Sequence, residues 1–381
     1  MRILFSSAGT HGHTYPLLPL AIAARDAGHD VLFGTTEQFH PLLLGLGFTP
    51  LSVGTSVGEA FAELRGNNAP DRSSMTPDEI MGHAARVFGE ILPRRVAADL
   101  TPLLDEHRPD LVVHESGAAG AGIAARRAGI PGVCHGFGRV SDRQIGMFAG
   151  ERLVAVAAEF GVELAADMAP GLGDPYVDIC PPSLQGARFL ATARRVPLRP
   201  VAYAAPGELP AGVGDSGPPL VYLTMGTAFG DSTVMDRAIA GLGRVDARVL
   251  VATGPNVDIA SLDELPPNVR AEAWLPQAEV LPYTALVVHH GGSGTTLGCF
   301  AAGVPQLVIP QGADQFENAE MVATSGAGRR LLPDELTADA IADAAARLLK
   351  DPAVRDAAAE IAAEIAAMPS PADVARGLLA P

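Results

Sequence analysis

Two short stretches hold the residues with chemistry to offer. Ala8-Gly9-Thr10-His11-Gly12-His13-Thr14 follows an apolar run at Arg2 to Ser6, and His289-His290-Gly291-Gly292-Ser293-Gly294-Thr295-Thr296 follows another at Ala285 to Val288. In the second stretch, small residues stand where a helix would start. Uncapped backbone N–H groups at such a start form a ready anion site, most often for phosphate. The lysine of a Walker loop is missing and the spacing does not fit the dinucleotide fingerprint. A phosphorylated ligand other than ATP or NAD is therefore expected. In the first stretch, an imidazole with an ordinary pKa of about 6.5 can take a proton near neutral pH. His13 then reads either as a general base or as a helix-start histidine that hydrogen-bonds its own turn. His11 and His13 could also be read as metal ligands, but no third ligand accompanies them and no metal is assigned.

The elements that must position these residues alternate between strand and helix. Strands are expected at Arg2 to Ser6, Val31 to Gly34, Phe48 to Val53, Asp110 to His114 and Gly132 to His135. Helices are expected at Pro16 to Ala27, Gln38 to Leu46 and Gly117 to Ala128, and along Glu79 to His107, where Pro93 and Pro102 interrupt the pattern. Thr55 to Pro77 reads as a mobile loop, and Asp142 to Ala166 as helical segments. Pro181 to Pro219 is rich in proline and glycine, lacks sustained periodicity and holds the expected domain boundary. Alternation then restarts with Leu220 to Thr224, a helix from Thr233 to Leu242, Arg248 to Ala252, Val269 to Ala273 and Glu279 to Tyr283. A helix ending at Gly303 leads to a strand at Gln306 to Ile309, and further helices run from Ala338 to Leu349 and Ala353 to Ala367. Two α/β halves with parallel sheets follow, each carrying one of the two turns at the carboxyl end of a strand, where such sheets bind ligands.

Composition narrows the partners. The 381 residues suit two domains, and 48% of them are hydrophobic, enough for a sizeable core. Lys and Arg total 27 against 43 Asp and Glu, a net charge of −16 that would repel nucleic acid and anionic lipid. Cys134, Cys180 and Cys299 have neither metal-like spacing nor an even number, so free thiols in a reducing cytoplasm are expected. The first residues carry too short an apolar run for a signal peptide, and no run of about 20 apolar residues suggests a membrane span.

Gly12-His13-Thr14-Tyr15-Pro16, Trp274-Leu275-Pro276-Gln277, His290-Gly291-Gly292 and Asp314-Gln315-Phe316-Glu317-Asn318 together resemble the GT-B nucleotide-sugar glycosyltransferases of family 1. Within them the chain is most similar to actinomycete enzymes that decorate macrolides, enediynes and aromatic polyketides with deoxysugars. The resemblance runs over essentially the whole length. It implies two Rossmann-like parallel-sheet domains facing each other across a cleft: an acceptor-binding domain over 1–200, a linker over 201–218, a nucleotide-sugar-binding domain over 219–365, and a terminal helix in 366–381 crossing back to the first. It implies inverting transfer without a metal or other cofactor, and no Asp-x-Asp metal-diphosphate motif occurs in the chain. The partners it implies are a nucleotide-sugar donor and a hydrophobic small-molecule acceptor, with no nucleic acid and no stable membrane association; a homodimer is left open.

The resemblance also assigns roles. His13 matches the catalytic base, and Glu115, which stands where many relatives carry Asp, is the candidate to orient it, although a carboxylate there could instead face the acceptor or cap the following helix. His114, by strand alternation, points the other way. His290 matches the diphosphate-binding histidine, with Gly292, Ser293, Gly294 and Thr295 supplying amides and hydroxyls, while His289 faces away. Thr227 matches a further phosphate contact, or is an ordinary turn threonine. Trp274 matches the residue that packs on the nucleobase, with the Leu275 and Pro276 backbone reading its edge and Gln277 also assigned to the nucleotide. Asp314 and Gln315 match the pair that binds sugar hydroxyls; without the resemblance they would read as an exposed loop. Relatives that use UDP-sugars commonly carry a Glu eight residues after the diphosphate histidine, where it grips the ribose; here that residue is Gly298. A dTDP-sugar donor is expected from its absence, unless Gly298 serves close helix packing instead. The acceptor walls are expected along Thr55 to Pro77, Met81 to Phe88 and Phe148 to Phe160. A sugar-nucleotide epimerase of the same fold, a non-catalytic sugar-nucleotide binder and a membrane-lipid glycosyltransferase are the competing readings.

Overall fold

A computed structural model describes residues 1–65, 77–142, 144, 150–165, 167–168, 170–203, 207–226, 232–254, 257, 259–262 and 264–378. The chain divides into two units, Met1–Leu198 with Pro369–Pro381, and Arg199–Met368. The first unit's sheet contains β1 (Arg2–Ser6), β2 (Asp30–Thr35), β3 (Thr49–Ser52), β4 (Leu111–Glu115), β5 (Gly132–His135), β6 (Tyr176–Asp178) and β7 (Arg195–Pro197). Its strands are all parallel, in the order β3-β2-β1-β4-β5-β6-β7. The second unit repeats the plan with β8 (Leu220–Thr224), β9 (Arg248–Ala252), β10 (Val269–Glu272), β11 (Leu286–His289), β12 (Gln306–Val308) and β13 (Gly328–Arg330), ordered β10-β9-β8-β11-β12-β13. In each sheet the strand order reverses between two neighbours, β1 and β4 or β8 and β11. There the connecting helices leave on opposite faces and open a crevice at the carboxyl ends.

Both faces of these sheets are covered, which is why the central strands read as continuous apolar runs. In the first unit, Leu4, Leu32 and Val112 pack with Val96, Leu100, Ala121 and Ala124 from the helices Leu92–His107 and Ala119–Ala128. In the second, Val221, Leu223, Val249, Val251 and Val288 pack with Met235, Ile239, Ile341 and Leu348. The helix Ser293–Ala302 stops at Gly303, whose φ of +67° is the left-handed cap the sequence predicts. The last helix, Pro371–Leu378, packs on the helix Leu18–Asp26 of the first unit.

Four expectations need correction. The first part of the expected loop Thr55 to Pro77 is a helix, Val57–Arg65, and residues 66–76 lie outside the described residues. Its start is a capping box: the Glu59 N–H donates to Ser56 Oγ at 3.1 Å, and the Ser56 N–H to Glu59 Oε2 at 2.9 Å. Secondly, the helix Leu92–His107 runs through Pro102 instead of being interrupted there. Thirdly, the irregular region after 181 contains the helix Ala187–Thr192 and the strand β7; like β6 before it, β7 has only three residues, too short for any period. Finally, the motif beginning at Asp314 is no exposed loop. Asp314 stands at the N-cap position of a helix, Gln315–Thr324, and Gln315 is buried.

Candidate functional site

In the first unit, β1 ends at Ser6 beside His114 of β4. The turn after β1 delivers the short helix His11–Thr14, and the end of β4 delivers Glu115. His13 Nδ1 lies 3.0 Å from Glu115 Oε2. The other carboxylate oxygen, Oε1, accepts the Gly117 N–H at 2.7 Å and the Ser116 hydroxyl at 2.9 Å. One oxygen therefore caps the turn while the other meets the imidazole, so cap and partner to His13 are not alternatives. Glu115 is wholly buried, which by itself pushes its carboxyl up; the neighbouring His13 and the hydrogen bonds from Gly117 and Ser116 bring it to a net value below the usual carboxylate range.

No local signal in the chain singles out Gly117. A Cβ there would stand 3.0 Å from Glu115 Oε2 and 3.1 Å from His13 Nδ1 and Cε1, so any side chain would crowd the pair. His114 faces away, its Nε2 3.2 Å from Asp174 Oδ2, where Arg126 also binds. The His11 ring packs edge-on against Tyr15 and Phe39. Two phenyl rings border the His13 imidazole: Phe137 after β5, at 4.8 Å between centroids, and Phe88 at 5.7 Å.

The second unit builds its counterpart at the matching reversal, where Thr224 of β8 lies beside His289 of β11. His289 is buried and structural. Its Nδ1 accepts the Gly291 N–H at 3.0 Å, which leaves Nε2–H to donate to Gln306 Oε1 at 2.9 Å. His290 turns the other way, into a slot between two glycines. Cβ atoms at Gly226 or Gly292 would stand within 2.4 Å of its ring, and Gly226 also has a φ of +74°. Burial holds His290 down to about 4, offset in part by its hydrogen bond with the Thr224 carbonyl, so at neutral pH the ring is uncharged.

The helix Ser293–Ala302 then starts at Gly292 without a side-chain cap, which leaves its first N–H groups for a ligand. The side of Gly294 where a Cβ would project is open, with no atom within 4 Å. Ser293 Oγ donates to Asp314 Oδ2 at 2.7 Å, and Thr295 Oγ1 to Gln277 Oε1 at 3.2 Å. Asn318, another residue without an assigned role, sends Nδ2 to Asp314 Oδ2, Ser293 Oγ and the Gly291 carbonyl within 3.2 Å, locking the helix start to the acidic residue. Gln315 Oε1 accepts the backbone N–H groups of Gln311 and Gly312, shaping the loop that presents Asp314. Ala313, inside that loop, has a φ of +53°, a strained conformation for alanine. Trp274 is 48% exposed, whereas Leu275 is in the core. Thr227 lies outside the described residues. At Gly298 an added Cβ would meet Leu281 at 3.4 Å and Gln277 Nε2 at 3.5 Å, ordinary contact distances, so close packing does not require glycine there.

These buried imidazoles carry a pH dependence. His289 is held at about 3, and His135 and His290 at about 4, in each case first by burial. Unfolded histidines take up protons below about 6.5, while the folded ones do not until the pH approaches their depressed values, so their stabilising contribution is full above about 6.5 and falls as the pH drops from there towards 4. For His290 alone the loss amounts to roughly 3 kcal/mol. Thermal unfolding followed between pH 7 and pH 5 is expected to show a steep fall in Tm. A flat profile would mean that these rings ionise freely in the native state.

Among the described residues no group of three His, Cys, Asp or Glu side chains is arranged to hold a metal ion, the three cysteines are free and buried, and no helix is long and apolar enough to cross a membrane. The family models for the erythromycin biosynthesis protein CIII-like N-terminal and C-terminal domains match residues 22–212 and 236–380. The L-demethylnoviosyl transferase of Streptomyces niveus is 36% identical over 88% of this chain and 86% of its own length. The elloramycin glycosyltransferase ElmGT of Streptomyces olivaceus is 36% identical over 90% of this chain and 89% of its own. The crystal structure of the glycosyltransferase SsfS6 from Streptomyces sp. SF2575, complexed with thymidine diphosphate, superposes with a TM-score of 0.80 at 27% identity, covering 99% of each chain.

Proposed function

Because the chain belongs to the erythromycin biosynthesis protein CIII-like family of glycosyltransferases, we propose that it moves a deoxysugar from a dTDP-sugar to a small natural-product acceptor, with inversion and without a metal. The observation that carries this reading is the contact between His13 and the wholly buried Glu115. With Nδ1 turned to the carboxylate, Nε2 is the nitrogen that takes the acceptor's proton. The acceptor oxygen attacks the anomeric carbon as the bond from that carbon to the diphosphate oxygen breaks, so the configuration inverts in one displacement. Glu115 stabilises the imidazolium as it forms. The leaving diphosphate gains charge in the transition state. The backbone amides over 292–295 and the dipole of the helix that begins there meet that charge, and the Ser293 and Thr295 hydroxyls and the His290 N–H join them as the bound diphosphate draws them from their partners in the free protein. This donor set is the basis for proposing transfer without a metal.

In the same reading Trp274, Leu275 and Gln277 hold the nucleoside, with Thr227 as a further phosphate contact, and Asp314 and Gln315 hold the sugar. Ser293 and Asn318 fix Asp314, so the sugar and the diphosphate are gripped by one connected network. The ordinary contacts around Gly298 support reading its missing side chain as a nucleotide preference, and the thymidine diphosphate bound by SsfS6 agrees with that preference. Thermal unfolding with dTDP and UDP tests it. A nucleotide at a hundred times its Kd stabilises the native state by about 2.7 kcal/mol, so dTDP is expected to raise the Tm at concentrations where UDP has little effect, and Gly298→Glu to narrow the difference. A stronger response to UDP in the unaltered protein would sink the dTDP reading.

A further inference from the structure

The acceptor remains the least defined partner, and the rings beside His13 bear on it. Phe88 lies in a single π-helical turn, Val87–Ile91, between the helices Pro77–Arg86 and Leu92–His107. Such turns shift the register of every residue after them and are frequent at functional sites. Here the turn's inner residues, Val87 and Ile91, join a cluster with Ala60, and Phe88, half-buried, packs at the edge of that cluster and also lies against the imidazole. Phe137 follows Gly136, whose backbone runs so close to Tyr176 that a Cβ would stand 2.8 Å from the tyrosine ring. That close approach fixes where the chain leaves β5, and Phe137, also half-buried, reaches 4.8 Å from His13. Both rings therefore border the imidazole that an acceptor hydroxyl has to reach.

We infer that Phe88 and Phe137 form an aromatic wall that selects a planar aromatic acceptor, whose phenolic hydroxyl is the group glycosylated. Two further considerations favour a phenol over an aliphatic alcohol. Aromatic rings prefer offset or edge contacts with other rings, which adds to the burial that any apolar acceptor would gain. A phenol ionises near pH 10, far closer to an imidazole than an aliphatic hydroxyl does, so proton transfer to His13 is less uphill. In the transfer, the phenolic O–H proton passes to His13 and the oxygen bonds to the anomeric carbon as the nucleoside diphosphate departs.

This inference rests on the glycosyltransferase reading, and its test separates the two. Binding of 2-naphthol and of its saturated counterpart decahydro-2-naphthol to the full chain is measured by calorimetry, with dTDP binding measured alongside. The aromatic alcohol is expected to bind at least about fivefold more tightly. Phe88→Leu and Phe137→Leu are each expected to weaken 2-naphthol by about threefold to tenfold, leaving decahydro-2-naphthol and dTDP within twofold. Equal or weaker binding of the aromatic alcohol, or parallel losses for both alcohols in the leucine variants, overturns the aromatic selection while intact dTDP binding keeps the donor site standing. Failure of dTDP to bind would instead count against the glycosyltransferase reading itself.

Discussion

His13→Ala is expected to lower kcat by about a hundredfold to ten-thousandfold, the range that general bases contribute, while dTDP binding stays unchanged. The separation follows from where the residue sits: His13 belongs to the first unit, whereas His290, the 292–295 turn and Asp314 belong to the second. Glu115→Gln is the informative companion. It keeps an oxygen that can still accept from Gly117 and Ser116 but removes the negative charge facing Nδ1. Its rate is expected to fall by no more than that of His13→Ala, and the acid limb of its pH–rate profile to move to lower pH, because the imidazolium loses its partner. Burial adds a constraint. The net depression of the Glu115 carboxyl means that its stabilising contribution is present above the ordinary value of about 4.5 and is lost as the pH falls through its folded value. Profiles measured between pH 6 and pH 9 therefore report on the imidazole and not on loss of the carboxylate charge. Full activity in His13→Ala, with single-turnover and steady-state rates both preserved, would remove His13 from the chemistry.

The second large effect is expected at the other histidine. In the proposed mechanism His290→Ala removes a side chain that meets the leaving diphosphate, and losses of about a hundredfold to a thousandfold in kcat accompany removal of one such donor. Unlike the His13 variant, it should also weaken dTDP. Its slot between Gly226 and Gly292 would be left empty, so some loss of packing comes with it. His290→Gln controls for that: it restores an N–H and much of the volume, and is expected to recover part of the rate without the acid sensitivity that the buried imidazole confers. If His290→Ala kept its kcat and lost only dTDP affinity, the residue would bind ground and transition states equally and contribute nothing to the chemical step.

Much of this frame was legible residue by residue. The strands Gly132–His135, Leu220–Thr224 and Arg248–Ala252 and the stop at Gly303 coincide with the sequence reading, because apolar runs and glycine caps are local signals. The capping box at Ser56 and Glu59 was equally local and was overshadowed by the glycine and asparagine that follow it. Three-residue strands such as β6, β7 and β13 carry no such signal, since they are held by neighbours distant in sequence.

For the candidate site the sequence by itself determined the chemistry available: an imidazole after β1, a carboxylate at the end of β4, and a small-residue turn after β11 that no bulky side chain blocks. Parallel sheets place such turns at the carboxyl ends of strands, so residues far apart in the chain were already expected near one another. Tertiary structure alone decided that one carboxylate both caps its turn and meets His13, that a side chain at Gly117 would crowd the pair, that Asn318 ties Ser293 to Asp314, and that Phe88 and Phe137 border His13. These are contacts between separate elements, set by how helices and strands pack and by a π-turn's shift in register. Periodicity within one element carries no information about them.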